Sequence, residues 1–317
     1  MHLKYSKKEL SQKIKELAKE IGFEACGFAP VEEVANQNFF LSWIKEGYQA
    51  NMKYLENHFN KRMNPALLVP GSKTIIALAL NYYPSKLQPK EGYQFSWYAY
   101  GDDYHLVMKE KLQQLFDKIN TQLHPITGRV FVDTAPVLER YWAWRAGLGW
   151  IGKNTQLIIP KKGSCFFLGE LIIDLELLYD TPIKNRCGNC TRCIDSCPTQ
   201  ALIEPFVLDS RSCLSYLTIE NREDIPSRYH KAMKEHVYGC DECLKACPWN
   251  RFSKPTHVLE FQPRKELLTY NKKQWQDLTQ EEYQSIFKNS AVKRTKYNGL
   301  KRNIALVAKE ESKDDPL

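Results

Sequence analysis

The chain is predicted to combine an α/β domain at residues 1–180, a cysteine-rich module at 181–255 and a short helical, basic extension at 256–317. The whole is a mixed α+β / α/β architecture. Three observations predict it. Seven of the ten cysteines fall in two runs, Cys187-x2-Cys190-x2-Cys193-x3-Cys197-Pro198 and Cys240-x2-Cys243-x3-Cys247-Pro248. This is the spacing of a bacterial ferredoxin-like module with two [4Fe–4S] clusters, in which three thiolates of a run hold one cluster and the fourth holds the other. Before Thr181-Pro182, strand-like apolar runs alternate with helical stretches. After Pro255 the pattern becomes polar and helical.

Each element has a local reason. At 6–20, Leu10, Ile14, Leu17 and Ile21 recur at helical spacing. Residues 23–29 read as a short strand, 38–57 as a helix and 73–81 as a buried strand. Residues 105–123 read as a helix with Leu106, Lys109, Leu112, Leu115, Phe116 and Ile119 around it. A strand at 129–132 is followed by Pro136, which is expected to open another helix, as proline does at a first helical position. Strands are expected at 157–159 and 166–178. Residues 183–250 show little regular pattern, as expected where clusters replace part of a core. Two helices are expected at 274–288 and 295–309.

The bulk numbers exclude several classes. The hydrophobic fraction of 43% is ordinary for a soluble globular chain of 317 residues. No stretch approaches the ~20 apolar residues of a membrane span; the longest, TIIALAL at 74–80, is strand-sized. The N-terminal stretch at 1–22 is a charged amphipathic helix without an apolar signal core or a twin-arginine pair. A cytoplasmic protein without membrane contact is expected, and its cysteines point to metal or redox chemistry rather than disulfides. The net charge of +8, from 45 Lys+Arg against 37 Asp+Glu, mildly favours acidic partners.

The second cysteine run lacks its first member: Val237 stands where the pattern has cysteine. Two clusters take four thiolates each. Outside the runs lie Cys26, Cys165 and Cys213, and Cys213 falls between them. Crossed ligation then assigns Cys187, Cys190, Cys193 and Cys247 to one cluster and Cys197, Cys213, Cys240 and Cys243 to the other. Cys26 and Cys165 read as small buried residues. Zinc also takes four thiolates, but the ferredoxin order favours iron–sulfur.

Clusters move electrons, and another part of the chain must supply the chemistry. Asp133 is expected to end a strand just before a helix, where a carboxylate can exchange a proton with a ligand or cap the helix. The Gly-rich stretch AGLGWIGKNT at 146–155 is expected to let backbone approach a large ligand, although it is neither a P-loop nor a dinucleotide fingerprint.

Together with KRMNP at 61–65, YAYGDDYH at 98–105, DTAPVLER at 133–140, CLSYLTIE at 213–220, YGCDEC at 238–243 and CPWN at 247–250, these residues make the chain resemble the epoxyqueuosine reductases. The resemblance spans most of residues 60–250. It implies a nitroreductase-like, cobalamin-binding N-terminal domain whose base-off cobalamin is fed electrons by the two clusters. It also implies reductive loss of the epoxide oxygen of epoxyqueuosine at the wobble position of tRNA, with Asp133 as proton donor. A protonated epoxide oxygen leaves more easily, so Asp133 is expected to have a raised pKa. Arg62, Tyr98, Asp103 and Lys153 are candidates for the amides and phosphate of the cofactor. Ser215 and Asp241, beside cluster ligands, are candidates for the corrin edge. Asp103-Tyr104-His105 begins like a histidine-on cobalamin motif, but Met108 stands where that motif has glycine. His105 is therefore expected to be a hydrogen-bonding or core residue.

The expected partners are tRNA carrying epoxyqueuosine, gripped at its anticodon arm, and a small electron donor such as flavodoxin or ferredoxin; a monomer is expected. The sequence ends soon after KRNIALVA at 301–308, which resembles the start of a helical repeat that longer members extend. Phosphate contacts are therefore expected from a basic patch at 293–302. Two alternatives stand beside this reading: a corrinoid iron–sulfur reductive dehalogenase, and a ferredoxin-type electron carrier. The dehalogenases usually carry an export signal, and a carrier would not need the large N-terminal domain.

Overall fold

The computed structural model describes residues 5–314. The first four positions of the expected amphipathic N-terminus and the last three of the expected C-terminal extension lie outside the described residues. α1 (Lys7–Ile21) starts at a capping box in which Ser6 and Glu9 satisfy each other's amides, and it buries Leu10, Ile14, Leu17 and Ala18. β1 (Ala25–Pro30) leads to α2 (Gln37–Lys45), where the expected helix over 38–57 stops short. α2 buries no residue, and the chain turns through Gly47 at φ 71° into a 3₁₀ turn at Lys53–Leu55. α3 (Phe59–Met63) carries Arg62.

β2 (Thr74–Asn81) is buried along its whole length, and β3 (Gln94–Phe95) is short. α4 (Tyr104–Lys118) is capped by the Asp103 carboxylate, which accepts from the His105 amide. It buries Val107, Met108, Leu112 and Leu115 and leaves Leu106 exposed. β4 (Gly128–Phe131) ends at the loop bearing Asp133. Pro136 does not open a helix; α5 (Glu139–Arg145) starts three residues later. The loop is held instead by tight turns, Thr134 N to Val132 O and Val137 N to Ala135 O. β5 (Trp150–Ile151) and β6 (Leu157–Ile158) form a ribbon. β7 (Phe166–Ile173) stops where its partner strands stop, because Thr74 and Gly128 both pair with Ile173.

The main sheet has the order β1-β2-β7-β4, and every pair is antiparallel. The alternation of strands and helices therefore gives an α+β layer arrangement, not parallel βαβ units. β2 shows the two faces. Ile76, Leu78 and Leu80 pack under α1 and α4 with Leu10, Ile14 and Leu112. Ile75, Ala77 and Ala79 pack under α5 with Trp142 and Ala143. Period-2 alternation thus serves two cores at once.

The cysteine module holds only short elements: α6 (Arg192–Asp195), β8 (Leu202–Glu204), β9 (Val207–Leu208), α7 (Leu214–Ile219), α8 (His230–Met233), β10 (His236–Tyr238) and α9 (Glu242–Lys245). α10 (Lys265–Thr269), α11 (Lys272–Gln276), α12 (Gln280–Ile286) and α13 (Lys296–Asp314) follow. The expected helix over 274–288 is two helices, because Thr279 and Glu282 form a new capping box. A third core unites this region with Tyr93, Phe95 and Tyr100, and β10 pairs in parallel with β3. The segment after β2 therefore belongs physically to the C-terminal core.

Asn303 pins that core. It is fully buried and donates to the carbonyls of Thr218 and Val237, both at 2.8 Å. Asn303→Ala removes the side-chain donor to the Val237 carbonyl, while the Thr218 carbonyl keeps the Thr295 hydroxyl at 2.9 Å. A loss of about 1–3 kcal/mol is expected, read from the guanidinium midpoint of the cluster-loaded protein.

A candidate redox active site

A cleft of about 2170 Å³ opens above the edge of β4 and between α2, α4 and α5. That is about twice the ~1,000 Å³ upper range of drug-sized pockets. Asp133 lies in it, at φ 43°, a left-handed conformation that costs a non-glycine residue about 1–3 kcal/mol. Three neighbours hold it there. The Tyr104 hydroxyl donates to Asp133 Oδ2 at 2.5 Å, and His105 Nε2 meets the same oxygen at 3.1 Å. The Asp133 amide donates to Glu139 Oε1 at 2.5 Å. Asp133 Oδ1 has no hydrogen bond from a described residue, and half of the side chain is open to the cleft.

The charges are set by these contacts. Burial pulls the His105 imidazole down, but hydrogen bonds to Asp103 (2.7 Å) and Asp133 outweigh it and hold it up at about 9. For Asp133, burial pushes up, but the hydrogen bonds from His105 and Tyr104 win and hold it below the usual carboxylate range. The expectation of a raised Asp133 pKa is thus reversed, since a cationic imidazole and a phenol favour the ionised form. Burial, then the Asp133 charge, keep Tyr104 neutral as a donor. Its ring is sandwiched between Phe167, at 4.4 Å, and His105, at 4.1 Å. Glu139 is pushed up to about 8 by burial and by Asp133. Behind it, Glu170 is fully buried in β7 with neither carboxyl oxygen partnered, and burial raises it strongly.

Arg62, Tyr98, Asp103 and Asp133 all line the cleft. Arg62 is 7% exposed and its Nε has no partner. The Tyr98 and Tyr238 hydroxyls share a hydrogen bond at 3.0 Å. The Asp103 carboxylate is spent on His105. Lys153, Ser215 and Asp241 are not among the lining residues. Lys153 donates to the Gly188 carbonyl at 2.8 Å, and Asp241 accepts from the Trp97 amide at 2.8 Å. The Gly-rich stretch differs from expectation: a Cβ on Gly149 would lie 2.2 Å from the Ile158 carbonyl, and one on Gly147 2.8 Å from that of Thr181. These glycines let the chain pack on itself. Trp150 and Ile151 beside them line the cleft, and Trp150 Nε1 is buried without a partner.

The eight thiols fall into two groups. Cys247 feels the charges of Cys187 and Cys190, and Cys193 those of Cys247 and Cys187. Cys243 feels Cys213, Cys240 and Cys197. Backbone amides point at them: Ala201 N reaches Cys197 Sγ at 3.2 Å, and the first amides of α7 reach Cys213. Among the described residues no three His, Cys, Asp or Glu side chains lie close enough to hold a single ion; thiolates at the corners of a four-iron cluster are spread more widely than ligands of one zinc. Cys165 is fully buried and Cys26 half-buried, and burial pushes the Cys26 thiol up to about 12.

The basic patch at 293–302 is largely committed to structure. Arg302 is half-buried and donates to the carbonyls of Leu217, Asn221 and Glu223. Lys301 donates to the Gln276 carbonyl. Lys293 and Arg294 do line the cleft mouth, and Arg294 grips Glu220 with two bonds of 2.8 and 2.9 Å. Sequence reasoning missed Glu139 and Glu170 as site groups. Glu139 sits inside DTAPVLER, and Glu170 is the lone charge in the apolar strand FFLGELII, which is a legible signal.

Comparison with known proteins follows the same division. A model described as 4Fe-4S double cluster binding domain matches residues 186–250, and one described as Epoxyqueuosine reductase QueG, DUF1730 matches residues 62–134. The epoxyqueuosine reductase of Cellulophaga algicola is 47% identical over 94% of this chain and 98% of its own, and that of Pseudomonas aeruginosa 40% over 94% and 84%. A crystal structure of epoxyqueuosine reductase with an epoxyqueuosine-modified tRNA-Tyr stem loop superposes with a TM-score of 0.88 at 31% identity, covering 94% of this chain and 80% of that one. An epoxyqueuosine reductase from Bacillus subtilis, whose catalytic aspartate loop is swung out of the active site, gives 0.86 at 30% identity, covering 94% and 81%.

His105 supplies a test of the local electrostatics. Its raised pKa means that its contribution to stability is fully present below about 6.5 and is lost as pH rises through about 9. Asp133→Asn removes one partner. The imidazole pKa, followed by NMR, is expected to fall, and the decline of stability over that window should shrink.

Proposed function

The chain belongs to the epoxyqueuosine reductase family and reduces epoxyqueuosine to queuosine in tRNA, and we propose that the Asp133 cleft is where the epoxide oxygen is protonated and lost. The observation that carries this is Asp133 itself: a carboxylate with one oxygen open to a large cleft and the other held by a neutral phenol and an imidazole that stays protonated near pH 7. Conversion of an epoxide to an alkene and water consumes two electrons and two protons. His105 can pass a proton to Asp133 Oδ2, and a half-turn of the carboxyl about its Cβ–Cγ bond would carry that proton to the open side, towards the epoxide oxygen. Tyr104, fixed by Phe167, keeps the carboxylate aimed.

The cleft's size, the unpartnered Arg62 Nε and the unpartnered Trp150 Nε1 suit a large ligand edged with amides and phosphate. Cobalamin bound there would supply two-electron reducing power at the substrate carbon, recharged through the clusters. Arg62 and Tyr98 would meet its polar groups from the cleft wall, with Lys153, Ser215 and Asp241 acting behind them from the cluster side. Both ring nitrogens of His105 are engaged by carboxylates, which supports a base-off cofactor without that histidine as ligand. The antiparallel sheet covered by helices on both faces fits a nitroreductase-like core.

The cluster assignment is Cys187, Cys190, Cys193 and Cys247 for one and Cys197, Cys213, Cys240 and Cys243 for the other, supported by the two electrostatic groups of thiols. The N-terminal α+β unit gives way to the cluster module near residue 180, and the helical extension after about residue 255 shares one core with α7, β10 and the 93–100 segment. For tRNA, the cleft mouth offers Lys293, Arg294 and Arg140 for phosphates and the exposed rings of Phe39 and Tyr54 for unstacked bases. A cytoplasmic monomer served by a small flavodoxin or ferredoxin completes the reading. Among the described residues no helix is long and apolar enough to cross a membrane.

Asp133→Ala is expected to retain its iron and its corrinoid absorbance while epoxyqueuosine reduction falls by about 10²-fold or more; full turnover would remove the role assigned to Asp133. Cys213→Ser should lower the iron content towards that of a single cluster. Wild-type iron content in this variant would place the eighth ligand elsewhere.

A further inference from the structure

The two sets of thiols have unlike surroundings. Cys187, Cys190, Cys193 and Cys247 lie on the segments 184–193 and 245–254, which hold six cations and no acid. Lys184, Arg186, Arg192 and Arg251 are exposed, and none has an ion pair among the described residues. The other set differs. Cys213 and Cys240 pack against the C-terminal core, and Asp241 and Glu242 separate Cys240 from Cys243. The loop at 187–193 also faces solvent. Gly188, Asn189, Thr191 and Arg192 are exposed, and a Cβ on Gly188 would meet nothing within 4 Å. The loop is nonetheless fixed. Lys153 donates to the Gly188 carbonyl and the Cys187 amide to Asn185 Oδ1, both at 2.8 Å. The Lys153 carbonyl in turn accepts the Phe206 amide at 3.0 Å. Phe206 is 40% exposed, and Ile203 on the same β8–β9 hairpin is 48% exposed. An apolar spot thus adjoins an open loop edged with unpaired cations.

We propose that this surface is where electrons enter the protein, by docking of a small acidic one-electron carrier against the loop at 187–193. The proposal rests on the cluster assignment above and on the reading that the clusters feed the cleft. Charge complementarity selects the partner. A carrier whose redox group lies within a rim of carboxylates meets Arg186, Arg192 and Arg251 with opposite charge, and Phe206 with its apolar centre. Such pairing speeds encounter and fixes orientation more than it raises affinity. That suits a carrier that must leave after each transfer, and redox encounters accordingly use small interfaces. Each encounter oxidises the carrier by one electron and reduces the nearer cluster by one. Two encounters match the two electrons that one epoxide consumes. tRNA also favours cations, but Arg186, Arg192 and Arg251 are not among the residues lining the cleft, whereas Lys293 and Arg294 are. Substrate and electrons therefore enter at different places.

The test uses cluster-loaded protein as wild type, as Arg186→Glu/Arg192→Glu, and as Lys8→Glu/Lys19→Glu, which makes the same charge change at exposed positions of α1. Flavodoxin is the probe. Calorimetry reads the binding of its oxidised form, and stopped flow reads cluster bleaching by its reduced form. In Arg186→Glu/Arg192→Glu, affinity and second-order rate constant are both expected to fall by about tenfold or more at low salt, and the salt dependence of wild type should flatten. Lys8→Glu/Lys19→Glu should stay within about twofold of wild type. Reduced methyl viologen, a small cation, should bleach every form at least as fast as wild type, which checks that the clusters are intact. If the glutamates disturb cluster loading, Arg186→Gln/Arg192→Gln replaces them, with a fall of about threefold expected. Wild-type affinity and rate in the arginine variants overturn the proposal. So does an equal fall in Lys8→Glu/Lys19→Glu. Loss of tRNA stem-loop binding in the arginine variants, with flavodoxin rates unchanged, overturns it in favour of tRNA. Wild-type clusters that flavodoxin bleaches without any reduction of epoxyqueuosine would instead defeat the reading that they feed the cleft, and the docking surface would stand.

Discussion

The antiparallel pairing of β7 with both β2 and β4 is the constraint on which the rest depends. β7 is the strand that meets every part of the site. Phe167 on one face stacks on Tyr104 and so aims the phenol at Asp133. Glu170 on the other face lies under α5 and behind Glu139. The pairing of Phe131 with Glu170 places the end of β4, and therefore the Asp133 loop, over the same point. A one-residue slip would exchange the two faces and take the aromatic clamp and the buried acid away together.

Around that frame, local conflict concentrates at the site. Asp133 adopts a left-handed backbone at the turn, and the Glu139 carboxyl that accepts its amide holds it in place. Glu139 in turn faces the Asp133 charge. Like charges so close cannot all ionise without cost, and here the cost falls on the more buried members of the row. Asp133 stays anionic because His105 and Tyr104 serve it. Glu139 and Glu170 lack such service.

Much of the fold was legible in the sequence. The first helix, the strands at 74–81 and 166–173 and the last helix follow from periodicity and caps. Three errors share a cause. The helices expected over 38–57 and 274–288 break, and the one expected at Pro136 starts late, because turn and cap geometry local to Gly47, Thr279 and Asp133 overrode the apolar pattern. The basic patch misled for a related reason: charge is visible in sequence, but Arg302 and Lys301 are used up by carbonyl groups from other elements.

The sequence by itself determined the family and its double-cluster module, and it singled out Cys213 and Asp133 as candidates. These follow from spacing, and spacing along a chain survives any fold. Only the tertiary structure decided the protonation of the site. Asp133 was expected to be the group with the raised pKa. The fold instead gives it two donors and passes the raised pKa to Glu139 and Glu170, which lie 6 and 37 positions further along the chain. Charge state depends on what lies within a few ångströms in space, and the pairing of β4 with β7 sets those neighbours.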